Sequence, residues 1–317
     1  MSERQAKSDG AKVELVITPK AKRLLDEALA IEREDALSAG AVGFQARIWA
    51  QLALPYRDPG DVSRWERRNG NEVLIVRPAA LINPDGSTRD GYPFGVIPRY
   101  LMTWMATEAV RTQSPRLDMG GSLNEFLAKV GMGRSGADGR RLKDQVHRLV
   151  GSTMQHQRFD RYDAGQWVQG ENFNVASSFE LWLPDRDGNV PEQGALWNNT
   201  ITLSEPFFES IVTAPVPVDL RAMKALQGSP MRLDIYTWLT YRMSYLKGQT
   251  LIPWELLELQ FGGQYSRTRK FKEAFVSHLA EVTTLYPAAR VVVEDKGLKL
   301  LPSAPHVARR ATRELDK

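Results

Sequence analysis

Leu24, Leu25, Ala28, Leu29 and Ile31 recur at the spacing of one helix face, which predicts a helix over Lys20–Leu37 with Thr18 as N-cap and Pro19 at its first position. Gly40 and Gly43 close it. Phe44–Leu54 is a short apolar segment ended by Pro55, and Glu72–Val76 reads as a buried strand with Asn83–Ser87 as the loop behind it. Pro98–Arg111 carries Leu101, Met102, Trp104, Met105, Ala109 and Val110 at helical spacing. A second, short helix follows, with Ser122 and Glu125 as a capping box and Leu123, Phe126, Leu127 and Val130 as its apolar face. Gly131 and Gly133 break it. After the turn Arg134–Gly139, a third helix begins near Arg140, with Leu142, Val146, Leu149 and Val150 inward and Arg141, Lys143, Asp144, Gln145 and Arg148 on the opposite face. Thr153–Tyr162 and Asn172–Leu183 read as strands joined by the polar loop Asp163–Gln166, and Thr200–Leu203 as a third strand.

The same order then recurs. Pro230–Leu246 is an aromatic-rich helix and Pro253–Phe261 a short one, followed by the glycine turn Gly262-Gly263. The next helix buries Phe271, Phe275, Leu279 and Val282, and Ala289–Val293 with Leu298–Leu301 gives a hairpin signal. Arg140–Val146 lies over Arg269–Phe275 with charged and apolar positions matched, the mark of a duplicated unit. The fold expected is α+β: two tandem winged-helix domains behind a helical extension. The extension covers 1–40, the first domain 41–214 with an adjunct strand, the second 218–306, and a charged tail 307–317. Two prolines in Ala214–Pro217 place the linker there.

Composition removes most chemistries. The 317 residues hold no cysteine and only four histidines, His147, His156, His278 and His306, far apart in sequence, so disulfides, thiol nucleophiles and zinc ribbons are excluded and no metal site is expected. Gly131–Gly136 matches the glycine fingerprint of dinucleotide sites, but a helix precedes it where that motif needs a strand; no phosphate-binding P-loop occurs. Asp118, Asp144, Glu255 and Glu258 form no persuasive catalytic pair and read as surface or capping groups, and His147 and His278 as surface or satisfied residues. Tyrosines at 56, 92, 162, 236 and 265 lack the His-x-His that a nicking enzyme needs, and Trp104 and Trp238 fall on apolar faces as core. No catalytic residue and no cofactor are expected. No apolar run reaches the twenty or so residues that span a bilayer, so the expectation is a cytoplasmic protein with no membrane partner.

The charge is +4 with a pI near 9.2, which permits nucleic-acid binding without requiring it. Placement is more informative. Arg134, Ser135, Arg140, Arg141, Lys143 and Arg148 belong to the first turn-helix unit, and Ser266, Arg267, Thr268, Arg269, Lys270 and Lys272 to the second. In a helix-turn-helix the second helix enters the major groove with its N-terminal residues on the base edges. Cations there oppose the helix dipole, a conflict that an anionic partner relieves. The bland alternative is a solvated helix face, and the recurrence at the same place in both units weighs against it.

Leu54–Arg57, Arg68–Gly70, Gly91–Arg99, Thr107–Thr112, Ser122–Leu127 and Leu142–Leu149, followed by Ser229–Leu239 and Phe271–Phe275, resemble the plasmid-encoded RepA replication proteins of bacteria, in order and with similar gaps from about Gly43 to about Pro305. The resemblance implies an initiator that binds repeated sites in double-stranded origin DNA, opens adjacent AT-rich DNA and meets a host initiator and replicative helicase. By analogy it also implies exchange between monomer and homodimer, with the strand-bearing first module as the natural interface. The alternative is a winged-helix transcriptional repressor or copy-number regulator without initiator activity.

Overall fold

The computed structural model describes residues 18–308 apart from 84, 120–124, 126, 129–130, 133–135, 163–164, 181–198, 263–264 and 266. Helix α1, Pro19–Arg33, starts as expected: Thr18 Oγ1 accepts from the Ala21 amide at 3.2 Å. It stops four residues short of Leu37 because Asp35 captures the amides that would continue it, Oδ1 accepting from Leu37 at 2.9 Å and from Ser38 at 3.1 Å. The apolar segment after it divides into β1, Val42–Gln45, and α2, Arg47–Gln51. Strands β2, Trp65–Asn69, and β3, Glu72–Arg77, form a hairpin, and β4, Ala79–Ile82, pairs with β5, Thr88–Gly91.

Helix α3, Val96–Thr112, is buried on nearly every side over Ile97–Ala106 and forms the centre of the molecule. It leads to β6, Arg116–Asp118. The short helix expected after Ser122 falls mostly outside the described residues; Glu125, Leu127 and Ala128 are helical. Helix α4, Gly136–Gly151, starts four residues before Arg140, so the end of the expected turn is its first helical turn. Strand β7, Thr153–Tyr162, has the expected bounds. The second expected strand is two, β8 at Gly165–Asn174 and β9 at Ala176–Glu180, bent at buried Val175. Ser204 holds the bend, its hydroxyl donating to Asn174 O at 2.5 Å and its amide to Val175 O at 3.2 Å. Strand β10 is Thr200–Leu203, and Ser204 also caps α5, Glu205–Thr213.

The remaining elements are β11, Val216–Asp219; α6, Leu220–Ala225; α7, Pro230–Met243; β12, Thr250–Pro253; α8, Trp254–Leu257, continued by a π turn over Glu258–Gly262; α9, Thr268–Leu285; β13, Val291–Glu294; and β14, Gly297–Leu300.

Two three-stranded sheets have matching topology. In one the order is β6-β10-β9 and in the other β12-β14-β13, so each places its last strand between the first and the second. In both, the opening strand follows a long helix, α3 or α7, and a second long helix, α4 or α9, precedes the closing pair. The duplication visible in the sequence is thus repeated in the strand order. One expectation changes: the hairpin β7–β8, which occupies the place of a wing in the sequence, adds instead to β3 in a four-stranded sheet of order β2-β3-β7-β8. The closing pair of the first unit is β9–β10, with 181–198 between them outside the described residues.

A second expectation fails at the linker. All four residues of β11 are buried, and the strand pairs antiparallel with β1, Pro217 opposite Phe44. Proline is tolerated because this is a two-stranded sheet with open edges. The apolar core is continuous from Ala28 to Leu300 across both halves. A buried ion pair also joins them: Arg99 on α3 donates from Nε and Nη2 to the two carboxylate oxygens of Asp234 on α7, both at 2.7 Å. The chain after β14 returns over the core, the His306 amide donating to Thr240 Oγ1 at 3.1 Å. Val307, the first residue of the expected charged tail, is buried against Ala36; residues 309–317 lie outside the described residues.

Candidate nucleic-acid interface

In the second unit an aromatic cluster sets the orientation of α9. Phe271 and Phe275 are buried with ring centroids 5.6 Å apart, and Phe261 meets Phe275 at 5.4 Å and Trp238 at 5.5 Å. With that face fixed inward, Arg267, Thr268, Arg269 and Lys270 are exposed at the leading end. Arg267 is the N-cap residue without a side-chain cap bond, and the first turn has no acid. Arg269 Nε lies 3.0 Å from Glu273, but the arginine side chain is 89% exposed, so the pair is readily exchanged for another anion. Lys272 turns back, its ammonium 4.9 Å from the centre of the Trp254 ring. Ser266 lies outside the described residues.

In the first unit Val146, Leu149 and Val150 anchor α4 and leave Arg140 and Arg141 exposed. Arg141 Nη1 is 4.0 Å from Asp138, an acid in the first turn that α9 lacks. Lys143 is half-buried, and burial lowers its ammonium pKa. Arg134 and Ser135 lie outside the described residues. Arg148, expected on the exposed face, is a correction: it is buried, with Nε on Asp144 at 2.7 Å, Nη1 on Asp58 at 3.1 Å and its guanidinium over the Phe94 ring. Gln145 is buried too, accepting from the Phe94 amide at 3.0 Å. The segment Tyr92–Phe94 covers this flank of α4, a contact across some fifty positions that helical periodicity does not reveal.

One group of cations escaped the sequence reading. Gly131, in a left-handed conformation at φ +73°, ends the short helix of the first unit, and the Lys224 side chain of α6 lies across it. With its amide oriented to satisfy both neighbours, Gln227 donates to Gly131 O at 3.2 Å and accepts from Arg23 Nη2 at 2.9 Å. Lys20 Nζ of α1 reaches Glu281 of α9 at 2.8 Å, and the same carboxylate holds buried Arg232. These residues are up to two hundred and sixty positions apart, and no local pattern marks them.

Among the described residues no group of three histidine, aspartate or glutamate side chains could hold a metal ion, and no helix is long and apolar enough to cross a membrane.

No curated protein matches the chain. Among solved structures, the crystal structure of selenomethionine derivatives of domains 2 and 3 of RctB is similar, with a TM-score of 0.52 at 14% identity, covering 81% of this chain and 98% of that one. A structure of RctB residues 155–483 covers 80% of this chain and 94% of its own, at 14% identity and a TM-score of 0.45. At that identity the first likeness speaks to the mixed α+β fold. The model of the family described as plasmid encoded RepA protein matches residues 92–256, just over half of the chain and inclusive of α3, α4 and α7. The chain belongs to the plasmid-encoded RepA family of replication initiator proteins.

Proposed function

We propose that the protein initiates plasmid replication by binding double-stranded origin DNA through two winged helices, α4 and α9 each lying in a major groove. The observation that carries the reading is the double occurrence of one unit: the same strand order, the same helix placement, and exposed cations in the N-terminal part of each second helix, at the leading turn of α9 and one turn in on α4. Arg140, Arg141 and Lys143 serve the first groove and Arg267, Thr268, Arg269 and Lys270 the second; Arg148, which is buried, and Lys272, held over Trp254, are not among them. In this reading β9–β10 and β13–β14 are the wings. Burial of β11 makes the two units one body, so the spacing of half-sites is set by the fold instead of by a flexible tether.

The protein acts without a catalytic centre, metal or cofactor, in the cytoplasm, and through origin opening it brings in a host initiator and helicase. A second copy would pair along β8, a ten-residue edge strand exposed over Gly165–Asn172 and carrying a single charged residue, Glu171.

Footprinting of the purified protein on the origin region of its plasmid tests the reading. Protection of repeated sites spaced by whole helical turns is expected. Absence of protection by the intact protein, or protection unchanged after both basic clusters are neutralised, would overturn it; protection confined to a promoter operator would favour the repressor alternative.

A further inference from the structure

We infer that the joint between the two halves binds one ordered water, which links Gln45 of β1 and Trp49 of α2 to Asp234 and Thr237 of α7. The inference stands apart from the duplex-binding reading and concerns how the two halves are held as one body.

Two buried polar atoms call for it. Gln45 is 3% exposed and Trp49 5%. The Gln45 amide nitrogen donates to Arg99 O at 3.4 Å and to Thr103 Oγ1 at 2.5 Å, both on α3, which turns the amide oxygen the other way. That oxygen and the Trp49 indole nitrogen have no hydrogen-bond partner among the described residues. Buried groups of this kind are normally satisfied by protein or by an ordered water, since an unmet donor or acceptor costs its full desolvation. Gln45 and Trp49 line one cavity of about 10 Å³, and every residue that lines it is buried. That size admits a single water and excludes any larger ligand, and polar walls are what keep a water in place. The chemistry is complementary on each side. A water there accepts from the indole N–H and donates one proton to Gln45 Oε1. Its second proton is left for the wall from the other half, where Asp234 brings a carboxylate and Thr237 a hydroxyl. Met102, Met223 and Leu233 make up apolar wall, so a second water would lack partners.

A crystal structure of the full chain, at a resolution that shows ordered waters, is the direct test. One oxygen atom within hydrogen-bonding distance of both Gln45 Oε1 and Trp49 Nε1 is expected. A dry cavity, or protein partners on both atoms, overturns the inference. Ala53→Val adds a second readout, because Ala53 lies on the cavity wall. In a dry cavity the added methyl groups fill a void and raise Tm. Where they displace a bound water, the two polar atoms are left unmet and Tm falls. A lower Tm, with the oxygen lost from the crystal structure of the variant, is the expected result. A raised Tm overturns the inference. Both readouts are taken without DNA, so neither outcome touches the proposed function.

Discussion

Replacing Asp234 by alanine should destabilise both halves of the molecule at once. Its carboxylate receives two bonds of 2.7 Å from Arg99, whose other donors go to the carbonyls of Leu54, Pro55 and Gly95. Arg67 is buried beside them, its guanidinium over Trp65 and Tyr56, and burial lowers its pKa. Burial pushes the Asp234 carboxyl up while Arg99 pulls it back down. Two buried cations thus share one buried anion, and removing the anion leaves both uncompensated. Breaking a buried pair from one side costs about 3–5 kcal/mol, against a total stability of about 5–15 kcal/mol for an ordinary domain. Urea unfolding followed by tryptophan fluorescence reads the loss, since Trp49, Trp104 and Trp238 are buried in both halves. One transition, shifted by that amount, is expected. A loss below about 1 kcal/mol would mean that the arginines find other partners and would refute the reasoning. Arg99→Met with Asp234→Leu should recover only part of the loss, because it removes the desolvation penalties of that pair but leaves Arg67 buried without its anion.

Stability should also fall on acidification through His306. Its ring nitrogen Nδ1 lies 2.7 Å from the Tyr236 hydroxyl, which accepts from the Asp219 amide and keeps its own proton to offer a neutral imidazole. Burial lowers the His306 pKa below its ordinary 6.5, with Asp219 raising and Arg221 lowering it further in turn, so the unfolded chain takes up the proton first and stability is lost as pH falls below about 6.5. His306→Gln should reduce the drop in Tm between about pH 7 and pH 5; an unchanged drop would sink the assignment. Gly297→Ala should prevent the second three-stranded sheet from closing, because a Cβ there would overlap the Ile252 carbonyl, and loss of cooperative melting is the readout. For the proposed interface, Arg269→Ala or Arg141→Ala should cost about 1–3 kcal/mol of binding and relax preference at one base pair if the side chain reads a guanine edge. A uniform loss across sequences, with the salt slope reduced by about one, would assign it to phosphate.

Much of this molecule was legible from local spacing. The i, i+4 stripe Leu142, Val146, Val150 and its counterpart Phe271, Phe275, Leu279 placed both second helices, and Thr18 with Pro19 marked the start of α1, because caps and apolar periodicity act within a few residues. The duplication and the family likeness came from the same local record. What tertiary structure decided was partnership. Whether β7–β8 closes its own unit or joins β3, whether Ala214–Pro217 is a tether or leads into a buried strand, and whether Arg148 faces solvent or Asp58 depend on residues many turns away in sequence. Alternation and helical period state only which side of an element is apolar; which element covers that side, and which charge answers a buried arginine, is settled when the chain packs.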